Sequence, residues 1–116
     1  MSNERVFNYT FSSIYNLYLT KVTKKARTEE ELITVICWLT GYSHAGLNKQ
    51  IEAKVSLAEF FNQAPGLHPN ASMITGLICG YRVEDIEDPM MQKIRYMDKL
   101  VDELAKGKKL EKILRA

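Results

Sequence analysis

Apolar residues recur at helical spacing along most of the chain, and this pattern predicts a mostly helical protein. The longest predicted helix begins at Asp88-Pro89, a pair typical of an N-cap and a first helical residue. Its apolar stripe, with alternating spacings of four and three, consists of Met90, Ile94, Met97, Val101 and Leu104. Such a face either mediates self-association or packs within the chain. In a chain of 116 residues we favour packing within the chain.

Capping pairs and prolines mark where other helices begin and where one loop lies. Thr28 with Glu31, and Ser56 with Glu59, have the residue types and spacing of capping boxes, so a helix is predicted after each. Residues 64–70 contain two prolines and a glycine, a composition that prevents regular structure. We therefore predict a loop there.

Glycine followed by tyrosine occurs twice after an apolar run. Gly41-Tyr42 follows the run that begins near Glu31, and Gly80-Tyr81 follows residues 71–79. A glycine in this position commonly ends a helix in the left-handed conformation. We therefore predict a helix over residues 71–79 and two similar helical corners.

The two ends of the chain have patterns of their own. Aromatic and polar residues alternate near the start, which predicts an extended arm over residues 1–11. A strand over residues 5–11, in a small α+β fold, is the alternative. Residues 106–116 contain five basic side chains separated by apolar ones, and a basic C-terminal tail helix is expected there.

Taken together, these patterns predict an all-α fold: a compact helical bundle of five to seven helices forming a single domain over residues 1–116. Hydrophobic residues make up 46% of the chain and charged residues 26%, which excludes disordered and fibrous classes. The net charge of +2 gives no strong attraction to nucleic acid or membrane. The charge is nevertheless uneven, because residues 31–89 carry three basic and seven acidic side chains.

The expected location is the cytoplasm, and no membrane contact is expected. No apolar run approaches the roughly 20 residues of a membrane-spanning helix. The first residues lack the basic and apolar regions of a secretory leader. Two cysteines without a disulfide framework agree with a reducing compartment.

Metal ligands are present as residue types but not at the spacing that metal sites use. Cys37, His44, His68 and Cys79 lack the close pairs of zinc sites, so both cysteines are interpreted as buried hydrophobic residues. The acidic cluster at residues 84–88 lacks the spacing and central glycine of an EF-hand loop. We therefore expect no metal, no cofactor and no catalytic residue.

A helix-turn-helix is the alternative interpretation of the Gly41-Tyr42 corner. The helix after this corner would then contact nucleic acid through side chains that suit such contacts. These are Asn48, Lys49, Gln50 and Lys54. Nucleic acid is unfavoured as a partner by the weak overall charge but is kept as an alternative.

Aromatic and polar residues beside the corners and the loop form a candidate ligand or partner surface. These residues are Trp38, Tyr42, His68, Asn70 and Tyr81. A third interpretation is therefore a small-ligand protein or an enzyme with a pocket near residues 64–70.

Several segments together are similar to one known family. They are Ile36–Tyr42, Ala64-Pro65, Pro69-Asn70, Asp88–Tyr96 and Asp98–Gly107. The chain resembles the bacterial domain-of-unknown-function 2200 family from about Phe7 to Arg115. The resemblance implies a small, stand-alone cytosolic bacterial protein and no activity. The family pattern often has Asn where this chain has His68, which implies that His68 performs no essential chemistry.

The first functional hypothesis is therefore a small interaction or regulatory module that is not an enzyme. A homodimer is the partner considered for it, and the stripe from Met90 to Leu104 is the candidate face in the alternative in which that stripe does not pack within the chain. A nucleic-acid binder and a small-ligand protein or enzyme are the alternatives.

Overall fold

A computed structural model describes residues 3–115 of the chain, and the all-α prediction is confirmed. The helices in this range are α1 (Asn3–Phe7), α2 (Phe11–Thr23), α3 (Glu29–Thr40), α4 (His44–Glu52), α5 (Leu57–Asn62), α6 (Pro89–Ala105) and α7 (Leu110–Ile113). A two-stranded antiparallel sheet consists of β1 (Leu77–Ile78) and β2 (Tyr81–Arg82). Short 3-10 helices cover Ala71–Met73 and Val83–Asp85.

Three helices begin where their capping residues predicted. The Thr28 hydroxyl accepts the Glu31 N–H and the Glu31 carboxylate accepts the Thr28 N–H, which completes the capping box of α3. Ser56 and Glu59 form the same arrangement at the start of α5. The Asp88 carboxylate accepts the Met91 N–H, 2.9 Å away, at the start of α6.

Helix α6 lies at the centre of the core. It packs against α2, α3 and α5, and its Ile94, Met97, Val101 and Leu104 are buried within the chain. The periodic stripe predicted from the sequence is therefore filled by packing within the chain, the interpretation favoured above, and this corrects the alternative that made it a candidate self-association face. The reason is that α2 and α3 bury apolar faces of their own and pack against α6, so one core forms within the chain.

Aromatic side chains fill the core between the N-terminal helices and α5. The rings of Phe11 and Phe60 stack with centroids 3.8 Å apart. Tyr42 packs on Phe60 from the side, and its hydroxyl donates to the Phe60 carbonyl oxygen, 2.5 Å away. Tyr42 is thus a buried core residue, which corrects its assignment to a ligand surface.

Residues 1–2 of the extended arm predicted over residues 1–11 lie outside the described residues, and from residue 3 onward the chain differs from that prediction. Residues 3–7 form α1, because Val6 and Phe7 pack together against the core. Extended pairing is limited to residues 9–11: Phe11 donates its N–H to the Val55 carbonyl, and Leu57 donates to the Tyr9 carbonyl. The strand content of the described residues therefore lies at residues 77–82 rather than at residues 5–11.

The helix predicted over residues 71–79 is also corrected. Only Ala71–Met73 forms a short 3-10 helix, and the chain then enters the β1–β2 hairpin. The backbone decides this, because Gly76, Cys79 and Gly80 all have positive φ values, which a right-handed helix cannot contain. Cys79 is consequently exposed instead of buried, and Cys37 is half-buried.

The C-terminal segment is fastened to α6 by an ion pair. Glu103 is buried, and its carboxylate lies 2.7 Å from the Arg115 guanidinium. Residue 116 of the predicted tail helix at residues 106–116 lies outside the described residues, and within 106–115 the helical part is the single turn of α7, whose Ile113 is buried. Among residues 3–115, no helix combines the length and the apolar character needed to cross a bilayer.

Candidate functional site

The β1–β2 hairpin projects two large apolar side chains into solvent. Ile78 pairs with Tyr81, and the connecting residues Cys79 and Gly80 have φ values of 51° and 84°. Positive φ at both central residues is typical of a type I′ turn, which matches the twist of a hairpin. Leu77 is 61% exposed and Tyr81 is 70% exposed, so this small sheet leaves much of its apolar surface uncovered.

Polar contacts hold the hairpin on α6. The Lys99 ammonium donates to the Leu77 carbonyl oxygen at 3.2 Å, and the Arg95 guanidinium lies 3.5 Å from the Cys79 sulfur. On the other side, the Gly76 N–H donates to the Glu84 carboxylate at 2.9 Å. This bond, followed by the local backbone and the charge of Arg82, lowers the pKa of Glu84. The exposed side chains are therefore presented by a backbone with defined anchors.

A wide groove opens beside these side chains, and we call it the hairpin groove. Its volume is about 870 Å³, and Leu77 and Tyr81 form its rim. The apolar lining below the rim comes from Val6 of α1, Ile86 and Met91 of α6. The N-terminal helix and residues 77–95 therefore meet at this groove.

Two arginines line the hairpin groove, and both have acidic partners. Arg95 donates to the Asp98 carboxylate at 2.7 Å, and the hydroxyl of Tyr18 donates to the same carboxylate. Burial first, and then Asp98, raise the pKa of Tyr18 well above its ordinary value, so its hydroxyl stays protonated. Arg82 lies 3.8 Å from Glu84.

Unlike the two arginines, three carboxylates of the groove lining form no ion pair within residues 3–115. These are the carboxylates of Asp85, Glu87 and Asp88. Asp85 and Glu87 are exposed, whereas Asp88 caps α6. Among the lining residues, the exposed charged side chains without an ion pair are therefore the carboxylates of Asp85 and Glu87.

A second cluster joins the 64–70 loop to the end of α3. The rings of Trp38 and His68 stack with centroids 4.1 Å apart. The His68 N–H donates to the Leu39 carbonyl and the Gly66 N–H to the Thr40 carbonyl, so the loop satisfies the last carbonyl groups of α3. The Asn70 side chain donates to the Arg115 carbonyl oxygen at 2.7 Å. Trp38, His68 and Asn70 therefore anchor the loop through these contacts.

A smaller cavity of about 260 Å³ lies beside the same loop. Its lining includes Thr40, Asn62, Gly66 and Lys93, whereas His68 does not contribute to it. Lys93 lies near the ends of α3 and α5, where a cation is favoured by the helix dipoles.

Comparison with known proteins places the chain in a family. Residues 5–115 match the sequence profile described as an uncharacterized protein conserved in bacteria, DUF2200. The chain belongs to the DUF2200 family. A solved structure titled "Crystal structure of uncharacterized protein SP1917" is 42% identical to it, with a TM-score of 0.91. The match covers 98% of the DUF2200 chain and 93% of the other chain. No protein among the curated sequences matches.

The residues predicted as a ligand or partner surface lie at separate places in the DUF2200 chain. Trp38, His68 and Asn70 come together in the loop cluster, whereas Tyr81 lies apart from them at the hairpin groove. No group of three or more His, Cys, Asp or Glu residues within residues 3–115 is arranged to hold a metal ion.

The residues proposed to contact nucleic acid lie on and just after α4. Asn48 and Lys49 are exposed, but the Gln50 side chain is half-buried, and its carbonyl oxygen is one of the buried atoms without a hydrogen-bond partner in residues 3–115. Lys54 lies beyond the helix with a φ of 53°. The four residues therefore do not present one continuous face.

The sequence patterns single out Tyr81 and the acidic cluster at residues 84–88. They do not single out Val6 or Met91, which complete the groove. Apolar or aromatic residues on both sides of the two-residue connection Cys79-Gly80 are typical of a hairpin, and this pattern is the signal that could have separated the region from the helices. No pattern in the sequence brings Val6 to Met91, because their proximity depends on tertiary packing.

Proposed function

We propose that this DUF2200 protein is a small interaction module, not an enzyme, that holds a segment of a partner protein in the hairpin groove. The supporting observation is the exposure of Leu77 and Tyr81 on a hairpin whose backbone is anchored to α6. Exposed apolar residues grouped around a concave surface are characteristic of protein-binding sites.

The groove suits a protein segment better than a small molecule. Pockets for small ligands enclose most of the ligand surface, typically about 70–90% of it. Here the residues of the rim are themselves mostly exposed, and the volume of about 870 Å³ opens widely to solvent. Only a partner that continues beyond the groove would cover Leu77 and Tyr81.

A second copy of the chain is another occupant of the groove that the same experiment would detect. The stripe from Met90 to Leu104 is largely unavailable to a second copy, since Ile94, Met97, Val101 and Leu104 are buried. A second copy would instead have to use the hairpin groove. The same experiment detects it as an adduct of twice the chain mass.

The test is photocrosslinking in cells from the groove and from a matched surface position. Benzoylphenylalanine replaces Tyr81 in one variant and Leu17 in the other, because Leu17 is 66% exposed but is not part of the groove lining. We expect a discrete adduct from position 81 that disappears when Leu77→Ser is added. Equal adducts from both positions, no adduct from position 81, or an adduct unaffected by Leu77→Ser would each overturn the proposal.

Nucleic-acid binding through α4 is the second candidate. The observation that favours it is the three-residue connection from Gly41 to Ser43 between α3 and α4, which resembles the turn of a helix-turn-helix. Gel mobility shift with random-sequence duplex DNA at low salt tests it. This candidate requires a shift that Lys49→Glu weakens; the absence of a shift excludes it.

A further inference from the structure

We infer that the segment held in the hairpin groove is basic and amphipathic, with apolar side chains directed into the groove and lysine or arginine side chains directed to its acidic edge. This inference rests on the proposed function and specifies the partner. It depends on the apolar lining together with the charges that remain at the groove.

The apolar lining of the groove determines which side chains the partner must supply. Val6, Ile86 and Met91 line the groove, while Leu77 and Tyr81 form the rim. Methionine and aromatic residues contribute adaptable apolar contact surface, which suits a partner side chain inserted between them. A wholly polar segment would leave this surface without an apolar contact.

The charged side chains that line the hairpin groove determine the charge of the partner. Arg95 is bound to Asp98 at 2.7 Å, and Arg82 lies beside Glu84, so the positive charges of the lining are already balanced. Within residues 3–115, the exposed groove carboxylates of Asp85 and Glu87 have no ion-pair partner, whereas the carboxylate of Asp88 is occupied as the N-cap of α6. Charge complementarity therefore favours a cationic partner and opposes an acidic one.

The test uses two defined peptides and isothermal titration calorimetry. Both peptides have the same apolar positions on one helical face; one has lysine and the other glutamate at every polar position. We expect the lysine peptide to bind at least about tenfold more tightly at low salt, because the exposed carboxylates of Asp85 and Glu87 attract it and repel the glutamate peptide. Raising the ionic strength to about 1 M should reduce this difference, since exposed charges are then screened.

Two variants assign the effect to the groove. Glu87→Lys should weaken binding of the lysine peptide about threefold. Glu52→Lys makes the same exchange at an exposed position of α4 outside the groove and should leave the binding unchanged. The double variant Leu77→Ser, Tyr81→Ser should abolish binding of both peptides. Circular dichroism of each variant verifies that it remains folded.

The outcomes separate this inference from the proposed function. Equal affinity for the two peptides, tighter binding of the glutamate peptide, or no binding of the lysine peptide would overturn the basic partner. The crosslink from position 81 and its dependence on Leu77 decide the groove proposal independently. A Leu77-dependent crosslink combined with equal peptide affinities would retain the groove and reject the basic segment.

Discussion

The indole ring of Trp38 and the imidazole ring of His68 lie face to face, with centroids 4.1 Å apart and planes inclined by 19°. The same imidazole accepts the Asn70 N–H at Nδ1, 3.0 Å away. His68 thus holds the loop in two ways, through ring contact with α3 and as a hydrogen-bond acceptor within the loop. The acceptor nitrogen requires the tautomer with its proton on Nε2.

We expect His68→Asn to retain more stability than His68→Leu. An asparagine oxygen can accept the N–H two residues later, as in an Asx turn, whereas leucine leaves that N–H without its acceptor. The expected difference is about 1 kcal/mol in the free energy of unfolding, measured by urea denaturation. Equal stability of the two variants would show that ring contact alone holds the loop.

Gly41→Ala should be more destabilising than Gly107→Ala. Both glycines have a left-handed backbone, with φ values of 82° and 90°, so alanine incurs about 1 kcal/mol of strain at either position. Only at Gly41 would a new Cβ lie 3.1 Å from the Gly66 carbonyl oxygen, whereas the space at Gly107 is open. Chemical denaturation should show at least about 1 kcal/mol of additional loss for Gly41→Ala. Equal losses would contradict close packing of the loop against α3.

Tyr18→Phe and Tyr15→Phe form a matched pair of hydroxyl deletions. Tyr18 donates to the half-buried Asp98, while Tyr15 donates to the exposed Glu29 at 2.7 Å. A buried hydrogen bond to a carboxylate contributes more than one that water can replace. We expect Tyr18→Phe to lose about 1.5–3 kcal/mol and Tyr15→Phe about 1 kcal/mol or less in thermal denaturation. A larger loss for Tyr15→Phe would refute this ranking.

The capping box of α3 predicts a dependence of stability on pH. Hydrogen bonds from Arg27 and from the Thr28 N–H lower the pKa of Glu31 from 4.5 to about 2. The folded state therefore holds this proton less tightly than the unfolded state, so the stabilisation is present above pH 4.5 and is lost as the pH falls towards 2.

Glu31→Gln tests this dependence. At pH 7 it should be less stable than the unaltered chain by about 1 kcal/mol, and the difference should shrink as the pH falls below 4.5. Glu59→Gln alters the other capping box, which has no arginine partner, and should have a smaller effect at pH 7. A difference that stays constant down to pH 2 would rule out the charge of Glu31 as its cause.

Local sequence patterns predicted the helix starts because capping is a local interaction. Thr28, Ser56 and Asp88 each accept an N–H three residues later, a distance that secondary structure alone determines. Gly41 ends α3 in the left-handed conformation for the same reason. The apolar stripe of α6 likewise revealed which side of that helix is buried.

In the region from Ala71 to Arg82, local sequence patterns do not determine the secondary structure. Short apolar runs are compatible with either a buried helix or a strand, and the positive φ of Cys79 is not evident from its residue type. The candidate site was predicted only in part for a related reason. Tyr81 and the acidic residues at 84–88 are neighbours in sequence, but Val6 reaches the groove only through tertiary packing.

The unequal settings of the two cysteines offer a practical route to observing the groove. Cys79 is exposed at the hairpin turn, whereas Cys37 is half-buried on α3 and burial raises the pKa of its thiol. A maleimide dye should therefore attach selectively at Cys79 without any mutation. Placed beside Tyr81, such a dye would change its emission when the groove is filled, which makes the native chain its own optical reporter.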